Sequence, residues 1–241
     1  MGIYEKIKDL GGWLAEGEAE LLYDLAAKAP KNGKIVEIGS WKGRSTICLA
    51  SGSKKANGGK ITAIDPHTGS SEHQGGGQGV NTFEEFKKNI NEAGLADMIQ
   101  PIVKKSSEAV NDFHEPISLI FIDGGHEYEF VKQDFDQWVP KVVDGGIVAL
   151  HDTISWGGPR QVAEKDLFLS RNFKDTGFVN SISYGTKTEK NNLFDRCRNR
   201  YILFLKNTFD LLWSLRKKSG LLKKMERMFG KRINKIFRSM Q

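Results

Sequence analysis

The chain has 241 residues, of which 39% are hydrophobic and 27% charged, enough for one sizeable globular core and an appendage. Its two cysteines, Cys48 and Cys197, have no CxxC spacing, which argues against a disulfide framework or a cysteine zinc site and predicts free thiols. The formal net charge of +6 sits in the tail: Lys206 to Gln241 holds eleven Lys or Arg against Asp210 and Glu226, leaving −3 for the first 205 residues. The body is therefore net acidic, and nucleic acid is not its expected partner.

No run approaches the roughly 18 apolar residues of a membrane span, and MGIYEKIKDLGG lacks the basic-then-apolar layout of a secretion signal. A cytoplasmic location is expected. In chain order, Glu16 to Ala29 carries alanines and leucines at helical steps until Pro30 ends it. KIVEIG, Lys34 to Gly39, is a short buried strand that runs into glycine, followed by a helix from about Gly43 to Ala50. GGKITAID, Gly58 to Asp65, is a second strand closed by an acid and Pro66, so the opening is a βαβ unit.

Thr68 to Asn81 contains five glycines and His73, follows His67, and predicts a loop. The two histidines are expected to be lid or substrate contacts. Thr82 and Glu85 have the spacing of a capping box for a helix bearing Phe83, Phe86 and Ile90, stopped at Gly94. Further strands are predicted near Met98 to Val103, at Ile117 to Ile122 and at Ile147 to Leu150. Between the last two runs a helix with Tyr128, Val131, Phe135 and Trp138 turned inward. The repeated alternation predicts an α/β, Rossmann-like fold: a mainly parallel twisted sheet with helices on both faces. Phe178 to Tyr184 and Tyr201 to Leu205 are expected to form an antiparallel edge pair. The expected domains are residues 1–207 and a basic amphipathic helical tail, 208–241, suited to a peripheral contact with the inner membrane face or to a partner subunit, including another copy in a homo-oligomer.

VEIGSWKGRS places Glu37, Gly39 and Gly43 where a strand turns into a helix, a geometry in which backbone and helix N-terminal amides can approach a polar ligand. A dinucleotide fingerprint would read G-x-G-x-x-G, whereas this is E-x-G-x-x-x-G, which weighs against an NAD-type oxidoreductase. Asp65 ends the second strand, where a carboxylate can accept from both hydroxyls of a ribose. Asp123 ends the fourth strand in LIFIDGGHEYE, and Asp152 follows the fifth in HDT, so neighbouring parallel strands bring both carboxylates to one edge. His126 is three residues beyond Asp123 and has the intrinsic pKa of a general base. Mg²⁺ prefers one or two carboxylates plus water and substrate, which makes Asp123 and Asp152 a candidate pair for a divalent cation. His151, next to Asp152, is expected on the other face of its strand unless the strand end departs from alternation.

Through VEIGSWKGRSTICLA, ITAIDPHTG and LIFIDGGHEYEFVKQDFDQWVPKVVDGGIVALHDT, the stretch from about Trp13 to Leu205 resembles the class I S-adenosylmethionine-dependent methyltransferases. The nearest branch is that of small-molecule, sugar-type O-methyltransferases. The resemblance implies that Glu37, Gly39, Ser40 and Gly43 hold the methionine part of S-adenosyl-L-methionine, with Ser45 and Thr46 near it and Asp65 on the ribose. Ser106 or Ser107 would lie near the adenine, at a point where the family commonly has an aspartate and this chain has KKSSE. Asp123 would adjoin the cofactor, bind metal with Asp152 and share the catalytic step with His126. The acceptor would be a small-molecule or saccharide hydroxyl. A non-catalytic cofactor-binding or membrane-associated scaffold is the remaining alternative.

Overall fold

The computed structural model describes residues 2–69, 80–154 and 156–218. His73, most of the glycine-rich loop and the tail beyond Lys218 lie outside the described residues. The chain divides into two units, Met1–Arg200 and Tyr201–Gln241.

In the first unit, helix α1 (Glu16–Lys28) precedes strand β1 (Lys34–Ile38), helix α2 (Arg44–Lys55) and strand β2 (Ile61–Ile64). Then come α3 (Phe83–Glu92), β3 (Ile99–Ile102), α4 (Ser106–Asp112), β4 (Ile117–Ile122), α5 (Tyr128–Trp138) and β5 (Val142–Leu150). After β5 follow α6 (Gly157–Val162), a π-helical continuation over Ala163–Phe168, β6 (Phe173–Val179) and β7 (Ile182–Lys187); α7 (Leu193–Lys218) begins in this unit and continues into the second.

The sheet has seven strands in the order β3-β2-β1-β4-β5-β7-β6. β1 to β5 are parallel, whereas β7 is antiparallel to both β5 and β6. All residues of β2 and β4 are buried, as expected of continuous apolar runs covered on both faces. α1 and α2 bury Leu22, Ala26, Ile47 and Leu49 in the core cluster that also takes Phe121 and Ala149 from the sheet. The strand order reverses between β2-β1 and β4, and ligands in such sheets sit beyond the carboxyl ends of the strands at that switch.

The expected mainly parallel sheet with an antiparallel edge pair is present, but the edge is built from other residues. Phe178 to Tyr184 is a hairpin and not one strand: Val179 pairs with Ile182 across Asn180 and Ser181, and Asn180 takes a left-handed φ of 49°. Asparagine tolerates that conformation at a two-residue turn. Tyr201 to Leu205 is helical. Asn192 and Asp195 exchange backbone-to-side-chain hydrogen bonds of 2.9 and 3.0 Å that cap α7, and buried Asn199, Ile202 and Lys206 follow three- and four-residue steps. The Thr82 hydroxyl also departs from its expected capping role, bonding His67 Nδ1 at 2.9 Å, while Asn81 Oδ1 accepts the N–H of Phe83.

Candidate active site

The carboxyl ends of β1, β2, β4 and β5 open into a cavity of about 1110 Å³. Gly39 explains how the β1 and β4 ends meet. With φ of 85°, it leaves no room for a side chain: a Cβ there would lie 2.0 Å from the Asp123 carbonyl oxygen. Trp41, His67 and Asp152 also adopt left-handed φ values of 45°, 58° and 57° where their strands give way to the rim. Non-glycine residues in this region cost on the order of 1–3 kcal/mol each and persist where the surroundings hold them.

On the β1–β2 side, Asp65 accepts the backbone N–H of Trp41 at 2.7 Å on one oxygen and that of His67 at 2.6 Å on the other. These bonds fix the carboxylate plane and leave each oxygen a further lone pair toward the cavity it lines. Ser40 and Ser45 line the cavity as well, and the buried Ser40 Oγ has no partner among the described residues. Such an atom suits a polar ligand.

Glu37 and Thr46 are placed otherwise. Both are fully buried beneath the cavity, outside its wall, with the Thr46 hydroxyl donating to the Glu37 carboxyl. Burial pushes the Glu37 carboxyl up to about 8, partly offset by Ser45 and Thr46. Gly43 is also outside the wall. It is the left-handed residue from which α2 starts.

On the β4–β5 side, the left-handed turn at Asp152 breaks strand alternation, so His151 and Asp152 converge on the same ground. His151 Nδ1 lies 2.9 Å from Asp123 Oδ1 and 3.2 Å from Asp152 Oδ2, and its Nε2 lies 3.7 Å from Glu18 Oε2. Burial opposes charge on this ring, yet the Asp123 charge and hydrogen bond, then Asp152 and Glu18, hold its pKa well above the usual histidine range. His151 is thus buried among three carboxylates that favour its protonated form. Asp123 is raised by burial despite His151. At Asp152, burial is more than offset by hydrogen bonds from His126 and His151, which hold it well below the usual carboxylate range.

His126 Nε2 is 3.1 Å from Asp152 Oδ2, and the ring stacks on Trp156 at a centroid distance of 4.5 Å. The start of α6 packs directly on this turn. A Cβ on Gly158 would lie 2.2 Å from the His126 carbonyl oxygen, so only glycine lets α6 come close enough to seat Trp156 against the imidazole. Asp123, His126 and Asp152 each offer one ligand atom within 4.8 Å of the others. Two carboxylates with water and substrate fit a divalent ion, and the His126 imidazole is then left to accept a proton.

Three contributors were not singled out from the sequence. Glu18 of α1 accepts the N–H of Ala15 at 2.8 Å and both the N–H and the hydroxyl of Ser181. It thereby ties the first helix to the β6–β7 turn beside His151. Its signal was an acid on the same face as Leu21, Leu22 and Leu25. Asp134 of α5 lines the cavity and accepts the Ser106 hydroxyl at 2.5 Å, with burial pushing its carboxyl up to about 6. It stands in the buried stripe Val131, Phe135, Trp138, and supplies an acid next to KKSSE from a different helix. Arg44 is the third: its guanidinium donates to the carbonyls of Leu10, Gly12 and Leu14, each at 3.0 Å, and so fastens the segment that forms one cavity wall.

Comparison with known proteins agrees with this geometry. Residues 36–153 match a family described as a methyltransferase domain. The O-methyltransferase NovP superposes with a TM-score of 0.59 at 16% identity, covering 73% of this chain and 81% of its own. TomG of Streptomyces achromogenes, an O-methyltransferase of tomaymycin synthesis solved with S-adenosylmethionine, gives 0.55 at 15% identity, covering 77% and 86%. At such identities these two share the fold. An uncharacterised protein, y4gI of Sinorhizobium fredii, is 39% identical over 51 residues, 21% of this chain and only 6% of that protein. The matched segment begins in β1 and ends just past Asp152, so the part of the chain that is similar to a methyltransferase domain takes in both sides of the cavity.

Proposed function

We propose that this protein transfers the methyl group of S-adenosylmethionine to a hydroxyl of a small-molecule acceptor, a saccharide in particular, with His126 as general base. The observation that carries the reading is the hydrogen-bonded pair His126 and Asp152, 3.1 Å apart, on the same cavity as Asp65 and Ser40. When bound, S-adenosylmethionine supplies an electrophilic methyl carbon on a sulfonium. Asp65 would accept from the ribose hydroxyls, Ser40 would meet the methionine part, and Ser106 with Asp134 would face the adenine.

His126 would take the proton of the acceptor hydroxyl and so make its oxygen nucleophilic. Asp152 orients the imidazole and stabilises the imidazolium that forms. Asp123 and Asp152 would hold a divalent cation, which would lower the pKa of the acceptor hydroxyl and position it. The exposed aromatics Trp13, Phe130 and Trp156 line this cavity, and aromatic rings beside carboxylates suit the apolar and hydroxyl-bearing sides of a sugar ring.

The test is labelled methyl transfer to a panel of saccharide and phenolic acceptors, with S-adenosylmethionine affinity measured in parallel. Activity on saccharides that is lost with a chelator and restored by Mg²⁺ or Mn²⁺ is expected. Chelator-insensitive turnover would remove the cation from the reading, and turnover confined to phenols would remove the saccharide.

A further inference from the structure

In HDTISWGGPR, His151 to Arg160, a tryptophan stands four residues after the strand-end acid and directly before two glycines and a proline. That spacing closes a hydrogen bond: the Trp156 N–H donates to the Asp152 carbonyl at 3.1 Å. Trp156 is the extended residue at the head of α6, and Gly157, Gly158 and Pro159 form the first turn, where proline costs no helical hydrogen bond. A Cβ on Gly158 would lie 2.2 Å from the His126 carbonyl oxygen and 2.7 Å from the Tyr128 nitrogen, so the backbone that bears His126 and the head of α6 touch directly. The imidazole then stacks on the indole with 20° between the planes, while its Nε2 meets Asp152 Oδ2.

His126 follows Gly124 and Gly125, which leave its backbone free and offer no side chain to brace the ring. What fixes the ring therefore comes from across the site: Asp152 at one nitrogen and Trp156 at the face, two residues joined by their own hydrogen bond. An indole is the larger ring, so a stacked imidazole covers only part of it, and Trp156 lines the cavity at 41% exposure. We infer that Trp156 is the positioning residue of His126 and that the uncovered part of its indole receives the acceptor, selecting a ring with an apolar C–H face, a pyranose, over an open-chain polyol. A pyranose laid against that surface has its hydroxyls directed sideways, beside the imidazole. This inference rests on the reading of His126 as base.

The experiment is labelled methyl transfer to a panel of methyl pyranosides and the matching open-chain alditols by wild type, Trp156→Leu and Trp156→Phe. S-adenosylmethionine affinity and the ring C–H resonances of His126, assigned by their loss in His126→Ala, are measured on the same proteins. Trp156→Leu should lower kcat on the pyranosides roughly ten- to hundredfold, the cost of a misplaced group, and raise KM about two- to tenfold, with S-adenosylmethionine affinity retained. Trp156→Phe, which keeps a ring, should restore most of kcat, and the His126 resonances, held upfield by the indole, should move downfield in Trp156→Leu. Wild-type kcat and KM in Trp156→Leu, a Phe variant no better than Leu, or alditols used as well as pyranosides by the wild type each overturn the inference. A wild type that methylates neither class, or a His126→Ala protein with full turnover, instead removes the base. The His126 resonances then still decide whether Trp156 holds the ring, and resonances unmoved in Trp156→Leu overturn that too.

Discussion

The two sides of the cavity bury Glu37 and Asp152 in opposite ways. Beneath the β1–β2 side, Glu37 has hydroxyl neighbours and, among the described residues, no cation against it, and its carboxyl is pushed up to about 8. On the β4–β5 side, Asp123, Asp152 and Glu18 surround the imidazolium of His151, and Asp152 stays ionised despite burial. An isolated buried carboxyl escapes the desolvation cost by keeping its proton, whereas a cluster escapes it by sharing a cation. The first arrangement holds a turn in place; the second keeps charge beside the cavity, where the proposed base, His126, stands.

The largest expected effect strikes the charged side. His126→Ala should lower methyl transfer by roughly 10²- to 10⁴-fold with S-adenosylmethionine affinity retained, the range for loss of a positioned base. Turnover at the wild-type rate would end the base assignment. Replacing His151 with Asn removes the shared cation and should cost about 3–5 kcal/mol of stability, measured by denaturant unfolding; a variant as stable as wild type would mean that the carboxylates need no imidazolium.

On the other side, Asp65→Ala should weaken S-adenosylmethionine binding by roughly ten- to hundredfold, as hydrogen bonds to a charged acceptor contribute about 1.5–3 kcal/mol. Titration calorimetry reads this directly, and unchanged affinity would remove Asp65 from the ribose.

Glu37→Gln gives the most diagnostic effect, read as a pH slope and not as a loss of activity or binding. Because the folded pKa of about 8 exceeds the ordinary value of 4.5, the folded state binds more protons than the unfolded state between these two values. Wild-type stability should therefore fall as pH rises from about 4.5 to about 8, by up to roughly 1.4 kcal/mol per pH unit. The Gln variant should lack that slope. Parallel pH profiles for the two proteins would show that Glu37 is ionised in the fold and that the contrast between the two sides is false.

Much of this was written locally. β1, β2 and β4 are short, mostly apolar runs followed by glycine or an acid, and an acid at the end of a parallel strand has one edge of the sheet to occupy. Short apolar runs were the weak point. FVNSISY and YILFL each satisfy strand composition, and only the left-handed Asn180 and the Asn192–Asp195 cap separate a hairpin from a strand and a helix from a strand. Glu18 and Asp134 were legible as acids interrupting buried helical stripes, but what they bond, Ser181 and Ser106, lies far away in sequence.

The sequence by itself determined the alternation of strands and helices, the glycine turns, the acids at strand ends and the charge split between body and tail, since periodicity, backbone freedom and charge are properties of neighbouring residues. The tertiary structure alone decided that Glu37 lies beneath the site while Asp65 lines it, and that Asp152 turns left-handed and brings His151 in among three carboxylates. Which charges share a low-dielectric site depends on how distant strand ends and the first helix pack, and that distance in space is not encoded in spacing along the chain.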